Sequence, residues 1–240
     1  MDYVLYFFIT VILSALFSMG GAGAGIAMIP ILNSLGIELN LAKMVGLFIG
    51  FTTTFTSSIM NFKRKALDIK FALPLALTLL IFAPAGAQLS KYVDKSIVKI
   101  LFAFFLIISA TMMIFFKKKA KANLQTPFIL GITGAIIGLL SGLLGVGGGN
   151  MLLPVLVLFG YEPKKVAVTV SFVVPFSAFT SFLSYASFVH INWLLLISTA
   201  IGAILGGYIG NYMMYFKLTQ TQIKKIIAFI LYILAVKMLW

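Results

Sequence analysis

Apolar runs of nearly twenty residues recur along the whole chain, and short polar segments separate them. Because a helix needs about twenty apolar residues to span a bilayer, this pattern predicts an all-α polytopic membrane protein. The predicted helices lie at about 3–19, 26–35, 42–62, 71–90, 97–116, 128–144, 150–160, 165–188, 191–214 and 222–240. The second and the seventh are too short to span a bilayer, and each directly follows a run of glycines.

The glycine run before the seventh helix, in the stretch GLLGVGGGNMLLPVL that starts at Gly142, interrupts the apolar pattern most strongly. A backbone break in lipid survives only where protein or a water-filled cavity satisfies its polar groups. The half-helix that follows presents free N–H groups and a partial positive charge to the break. The run therefore favours an anion site. The alternative is that the glycines allow close helix packing.

The two sides of the hydrophilic segment 117–126 resemble each other at an offset of 124 residues. Matched pairs include Gly21 with Gly145, Gly23 with Gly147, Gly25 with Gly149, Pro30 with Pro154, Gly36 with Gly160, Glu38 with Glu162 and Gly86 with Gly210. A constant offset over most of each half indicates an internal duplication. We predict a first repeat half at 1–116, a cytoplasmic linker at 117–126 and a second repeat half at 127–240.

The basic residues distinguish two membrane topologies. If each glycine-broken segment crosses once, the chain has eight spans and its 18 Lys and Arg divide nine and nine. If each forms a re-entrant hairpin beside three transmembrane helices, they divide thirteen to five, which the positive-inside rule favours. Three spans per half is an odd number, so the halves are then inverted repeats. The eight-span alternative stays open.

The net charge of +13 does not indicate nucleic acid, because the lysines cluster at the ends of apolar segments, as in cytoplasmic loops. The acidic Asp2 and the lack of a basic n-region argue against a cleaved signal peptide. With no Cys, one His and five carboxylates, we predict no metal site, no cofactor, no catalytic residues and no enzymatic activity. The carboxylates and His190 are interpreted as loop or helix-end residues, so a buried proton relay is not expected. Lys43, near the start of a span, is interpreted as a residue that snorkels.

The candidate substrate-binding residues are the two glycine runs, one amide and four hydroxyls. They are Gly21, Gly23, Gly25, Gly145, Gly147, Gly148, Gly149, Asn150, Thr53, Ser57, Ser177 and Ser181. Asn150 is interpreted equally well as a donor to an oxyanion or as a cap of the half-helix. The hydroxyls follow one helical face in each half and either line a polar path or bond to neighbouring helices and to their own backbone. Pro30 and Pro154 are interpreted as structural breaks.

The stretch GLLSGLLGVGGGNMLLPVLVLFGYEPKKVAVTVS, its degenerate copy GGAGAGIAMIPILNSLGIELNLAKMVG and the chain length resemble the sulfite exporter TauE/SafE family of membrane permeases. The first copy departs from the pattern, because Ala24 replaces the third glycine of its run and Val45 and Leu47 replace Thr169 and Ser171. The resemblance implies transport of sulfite, organosulfur or other organic anions across a bacterial inner membrane.

The implied partners are a small anionic substrate and the lipid bilayer, with no nucleic acid; whether copies form a homo-oligomer stays open. The alternatives to a permease are a passive anion channel and a non-transporting membrane scaffold subunit. The anion, the direction of transport and the coupling ion stay open as well.

Overall fold

The computed structural model describes residues 3–19, 21, 23–115, 126–216 and 220–239, and almost all of them are helical. The helices are α1 (Tyr3–Ser18), α2 (Gly25–Ser34), α3 (Leu39–Lys63), α4 (Ile69–Leu89), α5 (Lys95–Phe115), α6 (Pro127–Leu144), α7 (Gly149–Leu158), α8 (Pro163–Ala186), α9 (Trp193–Phe216) and α10 (Gln220–Leu239). Five of them, α4, α5, α6, α8 and α9, hold segments long and apolar enough to cross a membrane. The prediction of an all-α protein is confirmed, and each predicted helix matches an observed one to within a few residues.

Every carboxylate in the described part of the chain stands immediately before a helix. Glu38 precedes α3, Asp68 precedes α4, Asp94 precedes α5 and Glu162 precedes α8. The Asp68 side chain accepts a hydrogen bond from the Phe71 N–H at 3.2 Å and thereby caps its helix. A negative charge at these positions also favours the helix dipole, which explains why no carboxylate among the described residues lies within a span. Asp2 lies outside the described residues.

The helices on the two sides of the linker follow one spacing. Helices α6 to α9 begin 124 residues after α1 to α4, and α10 begins 125 residues after α5. The packing pairs are unchanged when each helix is replaced by the helix at this offset. Helix α4 packs on α6 and α1 packs on α9, while α3 packs on α8 and α5 packs on α10. Each helix of one set therefore contacts the other set in the same way as its counterpart does. The predicted linker lies outside the described residues except for Thr126.

Helices α3 and α8 run antiparallel through the centre of the molecule. Their contacts pair the start of one helix with the end of the other, in the order Lys43 with Tyr185, Phe48 with Phe182, Phe51 with Phe179 and Asn61 with Ser171. Both helices bury hydroxyl groups along this interface. The antiparallel pair brings the beginning of each helix beside the end of its counterpart.

Glycine seams hold the outer helices against their partners. Successive glycines of α9 approach α1 in register, with Gly202 against Phe7, Gly206 against Val11 and Gly210 against Ala15. Likewise α6 places Gly134 against Leu75, Gly138 against Leu79 and Gly142 against Ala83 of α4. A Cβ at Gly142 would collide with the Ala83 carbonyl, so this close approach requires glycine. The in-register order makes each of these two pairs parallel.

Helix α3 also runs parallel to α9, because Gly207 lies against Thr53 and Asn211 lies against Asn61. Since α1 and α3 both run parallel to α9, they run parallel to each other. The glycine segment and α2 must therefore return the chain toward the end where α1 began. The same reasoning applies to α6, α7 and α8, since α8 approaches α4 with Lys165 beside Asp68 and Ser184 beside Gln88.

Candidate functional site

The glycine turn at residues 145–149, called here the second glycine turn, joins α6 to α7. Gly145, Gly147 and Gly148 have φ angles of 78°, 71° and 76°, which place them in the left-handed region. The N–H of Gly149 donates to the Gly147 carbonyl at 3.0 Å. Within the described part of the chain, no acceptor is found for the N–H groups of Gly147 and Gly148. Two N–H donors without an acceptor among the described residues therefore lie directly before the N-terminus of α7.

A row of side chains on α8 faces this turn. Ser177 Oγ donates to the Gly147 carbonyl at 2.9 Å. Two helical turns further on, the Tyr185 hydroxyl lies 3.2 Å from the Gly142 carbonyl and 3.1 Å from the Leu143 carbonyl. Ser181 stands midway, four residues from each, so its side chain lies on the same face of the helix. That face is packed against the second glycine turn and the end of α6.

Ser181 is fully buried, and its hydroxyl is the one buried side-chain polar atom of the described residues that has no hydrogen-bond partner. Leaving a buried hydroxyl unsatisfied costs roughly 1–3 kcal/mol. A buried hydroxyl without a protein partner calls for one from elsewhere, such as a water molecule or a bound ion. Ser181 and the N–H groups of Gly147 and Gly148 are donors without a partner among the described residues, and Ser181 lies on the helical face that packs against the turn.

Lys43 brings a positive charge to the same place. It lies in the second turn of α3, and only 1% of its surface is exposed. Its Nζ donates to Ser90 Oγ at 2.8 Å and to the Leu143 carbonyl at 3.2 Å, and it lies 5.8 Å from the centroid of the Tyr185 ring. The prediction that Lys43 snorkels to the membrane interface is wrong, because the ends of α4, α6 and α8 cover it.

The second glycine turn packs directly on the stem of Lys43. A Cβ built on Gly145 would lie 2.5 Å from Lys43 Cβ and 2.7 Å from its Cγ. The absence of a side chain at Gly145 therefore allows the turn and the lysine to occupy adjacent space. Four segments meet here: the start of α3, the end of α4, the turn after α6 and the end of α8.

The first glycine turn, residues 21–25 with 22 outside the described residues, has different surroundings. Gly21, with φ of 75°, lies against the Ala167 carbonyl, and Gly25 lies against the Gly46 carbonyl. Gly23 approaches Gly50. Ala167 is the counterpart of Lys43 at the offset of 124. The two turns differ in backbone, because Ala24 has a φ of −72° where its counterpart Gly148 has a φ of 76°. The second turn alone among the described residues has a buried cation beside it.

Comparison with known proteins gives this architecture a family. The model of the sulfite exporter TauE/SafE family matches residues 6–238, nearly the whole chain. The chain belongs to the sulfite exporter TauE/SafE family. It is 33% identical over 190 residues to a probable membrane transporter protein, MJ0441, of Methanocaldococcus jannaschii, covering 74% of this chain and 69% of that protein.

Two further relatives are similar to this TauE/SafE chain. The probable membrane transporter protein YunE of Bacillus subtilis is 28% identical over 239 residues, covering 88% of each chain. The sulfite exporter TauE/SafE family protein 1 of Arabidopsis thaliana is 38% identical over 61 residues, covering 25% of this chain and 14% of that protein. The family and the apolar helices together make this chain a multi-pass membrane transporter.

Two of the hydroxyls predicted as substrate-binding in this TauE/SafE chain already have partners. Thr53 Oγ1 donates to the Ile49 carbonyl at 2.7 Å and lies 3.1 Å from Ser14 Oγ. Ser57 Oγ donates to the Thr53 carbonyl at 3.1 Å. In the first half the row of hydroxyls thus bonds within the helix bundle, which is the alternative that the sequence left open.

The prolines lie inside helices of the TauE/SafE fold. Pro30 is within α2 and Pro154 within α7, so the breaks in the backbone occur at the preceding glycines. Each proline lacks an N–H and leaves one carbonyl of its half-helix without the usual intrahelical donor. Asn150 lies in the first turn of α7, but the two roles predicted for its side chain fall outside what the structure describes.

The residues predicted as substrate-binding leave out two polar groups of this TauE/SafE chain. The first is Lys43, which its alanine counterpart in the second half could have revealed as an exception to the repeat. The second is at the opposite end of α3, where Asn61 Nδ2 donates to Ser171 Oγ at 2.9 Å and Arg64 donates to Asn211 Oδ1 at 2.8 Å. No group of three or more His, Cys, Asp or Glu suited to a metal occurs among the described residues.

Proposed function

We propose that this chain is a permease for small anions, such as sulfite or organosulfur and organic anions, in the inner membrane of a bacterium. The substrate binds at the second glycine turn. The observation that carries this proposal is the buried, unpartnered Ser181 hydroxyl facing a turn whose Gly147 and Gly148 N–H groups find no acceptor among the described residues. Neutral donors at a helix N-terminus suit an oxyanion, which accepts several hydrogen bonds at once.

The arrangement of the helices supports a transport pathway through inverted halves. Helices α3 and α8 hold equivalent places in the two halves and run antiparallel, as repeats of inverted topology require. Because α1 runs parallel to α3, each glycine turn with its short helix is proposed to form a re-entrant hairpin. Half-helices that end inside a membrane protein commonly contribute the substrate site of such transporters.

The experiment is uptake into proteoliposomes that contain the purified protein, with sulfite, thiosulfate, sulfoacetate, sulfate and lactate, with and without a pH gradient. We expect saturable uptake of at least one anion, little changed by the pH gradient, because the described carboxylates all lie at helix starts. Empty liposomes are the control. Flux that does not saturate would favour a passive channel, and no flux of any anion would favour a scaffold subunit.

A further inference from the structure

Among the described residues, no carboxylate pairs with the buried ammonium of Lys43. Among the described residues the ion pairs are Lys95 with Glu38 and Lys165 with Asp68, both at exposed helix ends. Lys43 instead contacts a hydroxyl, a carbonyl and an aromatic ring. A buried cation held only by neutral groups is costly, since these groups replace its hydration incompletely. In a membrane protein such a residue marks a pathway or a ligand.

The ammonium also has hydrogen-bonding capacity left over. It carries three N–H donors, of which Ser90 and Leu143 take two, and no third acceptor is found in the described part of the chain. The Tyr185 ring links Lys43 to the α8 face described above, because Tyr185 stands one helical turn beyond Ser181. The free donor of Lys43 and the unpartnered hydroxyl of Ser181 therefore belong to the same side of the second glycine turn.

We propose that Lys43 is the residue that selects the charge of the substrate, binding an ionised oxygen of the anion at the second glycine turn. This inference rests on the proposed function and names the group that makes the site specific for anions. An ammonium is a point charge without the planar fork of Arg, so it discriminates by charge more than by shape. The ligand class is a small oxyanion, and dianions are favoured over monoanions of similar size.

Among the described residues, a buried positive charge lies beside the second glycine turn and not beside the first. Ala167 occupies the position equivalent to Lys43 and cannot bind an anion with its side chain. The first glycine turn is also closed by the backbones of Gly46, Gly50 and Ala167. Among the described residues, the proposed anion site is therefore built around the second turn alone, from helices on both sides of residues 117–126.

The test compares Lys43→Gln and Lys43→Met with Lys95→Gln in proteoliposomes, measuring KM and Vmax for thiosulfate, a dianion, and lactate, a monoanion. Methionine is similar in length to lysine and suits a buried position, so Lys43→Met removes the charge while favouring a folded protein. Lys95 is exposed, lies at the same end of the molecule and carries the same charge. It controls for the change in net charge and surface potential.

We expect both Lys43 variants to raise the KM for thiosulfate by about tenfold or more, the effect of losing one charged hydrogen bond. Both Lys43 variants should lose the preference for thiosulfate over lactate. Lys95→Gln should keep the wild-type KM for both anions. Melting temperatures of the purified variants, with and without thiosulfate, report folding and binding separately. If Lys43 only holds the end of α6 in place, its substitution would lower the melting temperature and leave KM unchanged.

The outcomes separate the two proposals. A folded Lys43→Met protein with the wild-type KM and wild-type preference for thiosulfate would overturn the role of Lys43 and leave the anion permease standing. A wild-type protein that neither takes up any of the tested anions nor gains thermal stability from them would overturn both.

Discussion

The glycines of the second turn act through the space and the backbone angles that they allow. Gly148 has a φ of 76°, and a Cβ there would lie 3.1 Å from Leu79 Cδ2 and 3.3 Å from Ser141 Oγ. A side chain at this residue would meet both strain and crowding, roughly 1–2 kcal/mol from the left-handed backbone alone. Gly131, in contrast, has only Thr78 Cγ2 near such an atom, at 3.8 Å.

We therefore expect Gly148→Leu to abolish anion uptake while the protein still reaches the membrane, because the side chain would cover the N–H groups that the turn offers. Gly131→Ala is the matched control and should keep both uptake and expression. Uptake in proteoliposomes, normalised to the protein recovered, measures the effect. Normal uptake by Gly148→Leu would show that the anion binds elsewhere.

At the level of helices, the sequence could predict more of the fold than of the site. Apolar runs and glycine positions determine where helices start and end, and ten were placed correctly. The burial of Lys43 could not be predicted in this way, because the end of α6, a hundred residues further along the chain, covers it. Likewise, no local pattern tells that Ser57 donates to its own helix while Ser181 has no hydrogen-bond partner among the described residues.

Charged residues at the helix ends contribute to the stability of the fold, and Asp68, before α4, is the clearest case. A hydrogen bond from Lys165 and one from the Phe71 N–H hold the pKa of its carboxyl below the usual value. A lowered pKa means that ionised Asp68 stabilises the fold above the ordinary Asp pKa, about 3.9, and that this contribution is lost as the pH falls through the lowered value. Both groups are substantially exposed, so the ion pair contributes little and the cap contributes more.

We expect Asp68→Ala to lower the melting temperature more than Asp68→Asn at neutral pH, since asparagine keeps the cap of α4 and alanine loses it, at about 1 kcal/mol. Thermal unfolding in detergent measures both variants. Acidification toward pH 3 should reduce the difference in melting temperature between the wild-type protein and Asp68→Asn, because Asp68 becomes protonated. Equal melting temperatures for the alanine and asparagine variants would show that the cap does not stabilise α4.

At the scale of the whole molecule, two ion pairs tie loops to opposite ends of the helix bundle. Lys165 bonds to Asp68 and so joins the loop before α4 to the start of α8, while Lys95 bonds to Glu38 and joins the starts of α5 and α3. The antiparallel course of α3 and α8 separates these two ends. The loop 64–68 is the more basic in its surroundings, as cytoplasmic loops are.

We expect reporter fusions in the loop 64–68 and in the segment 117–126 to report the cytoplasm, and fusions at both termini to report the outside. This follows from the proposed three spans and one re-entrant hairpin in each proposed half. Fusions after residues 36 and 92 serve as controls and should also report the outside. An N-terminus found in the cytoplasm would support eight spans and contradict the hairpins.

The off-centre place of Lys43, near the start of α3 and the ends of α4, α6 and α8, has a kinetic consequence for a carrier. If the anion binds at Lys43 as proposed, its free-energy well lies closer to one membrane face, and an anion arriving from that face meets a lower entry barrier. Uncoupled flux must vanish when both sides hold equal concentrations at zero voltage, which forces Vmax/KM to be identical in the two directions. Because Lys43 has an alanine, Ala167, at the equivalent position, the asymmetry must then appear as unequal KM values that are balanced by unequal maximal rates.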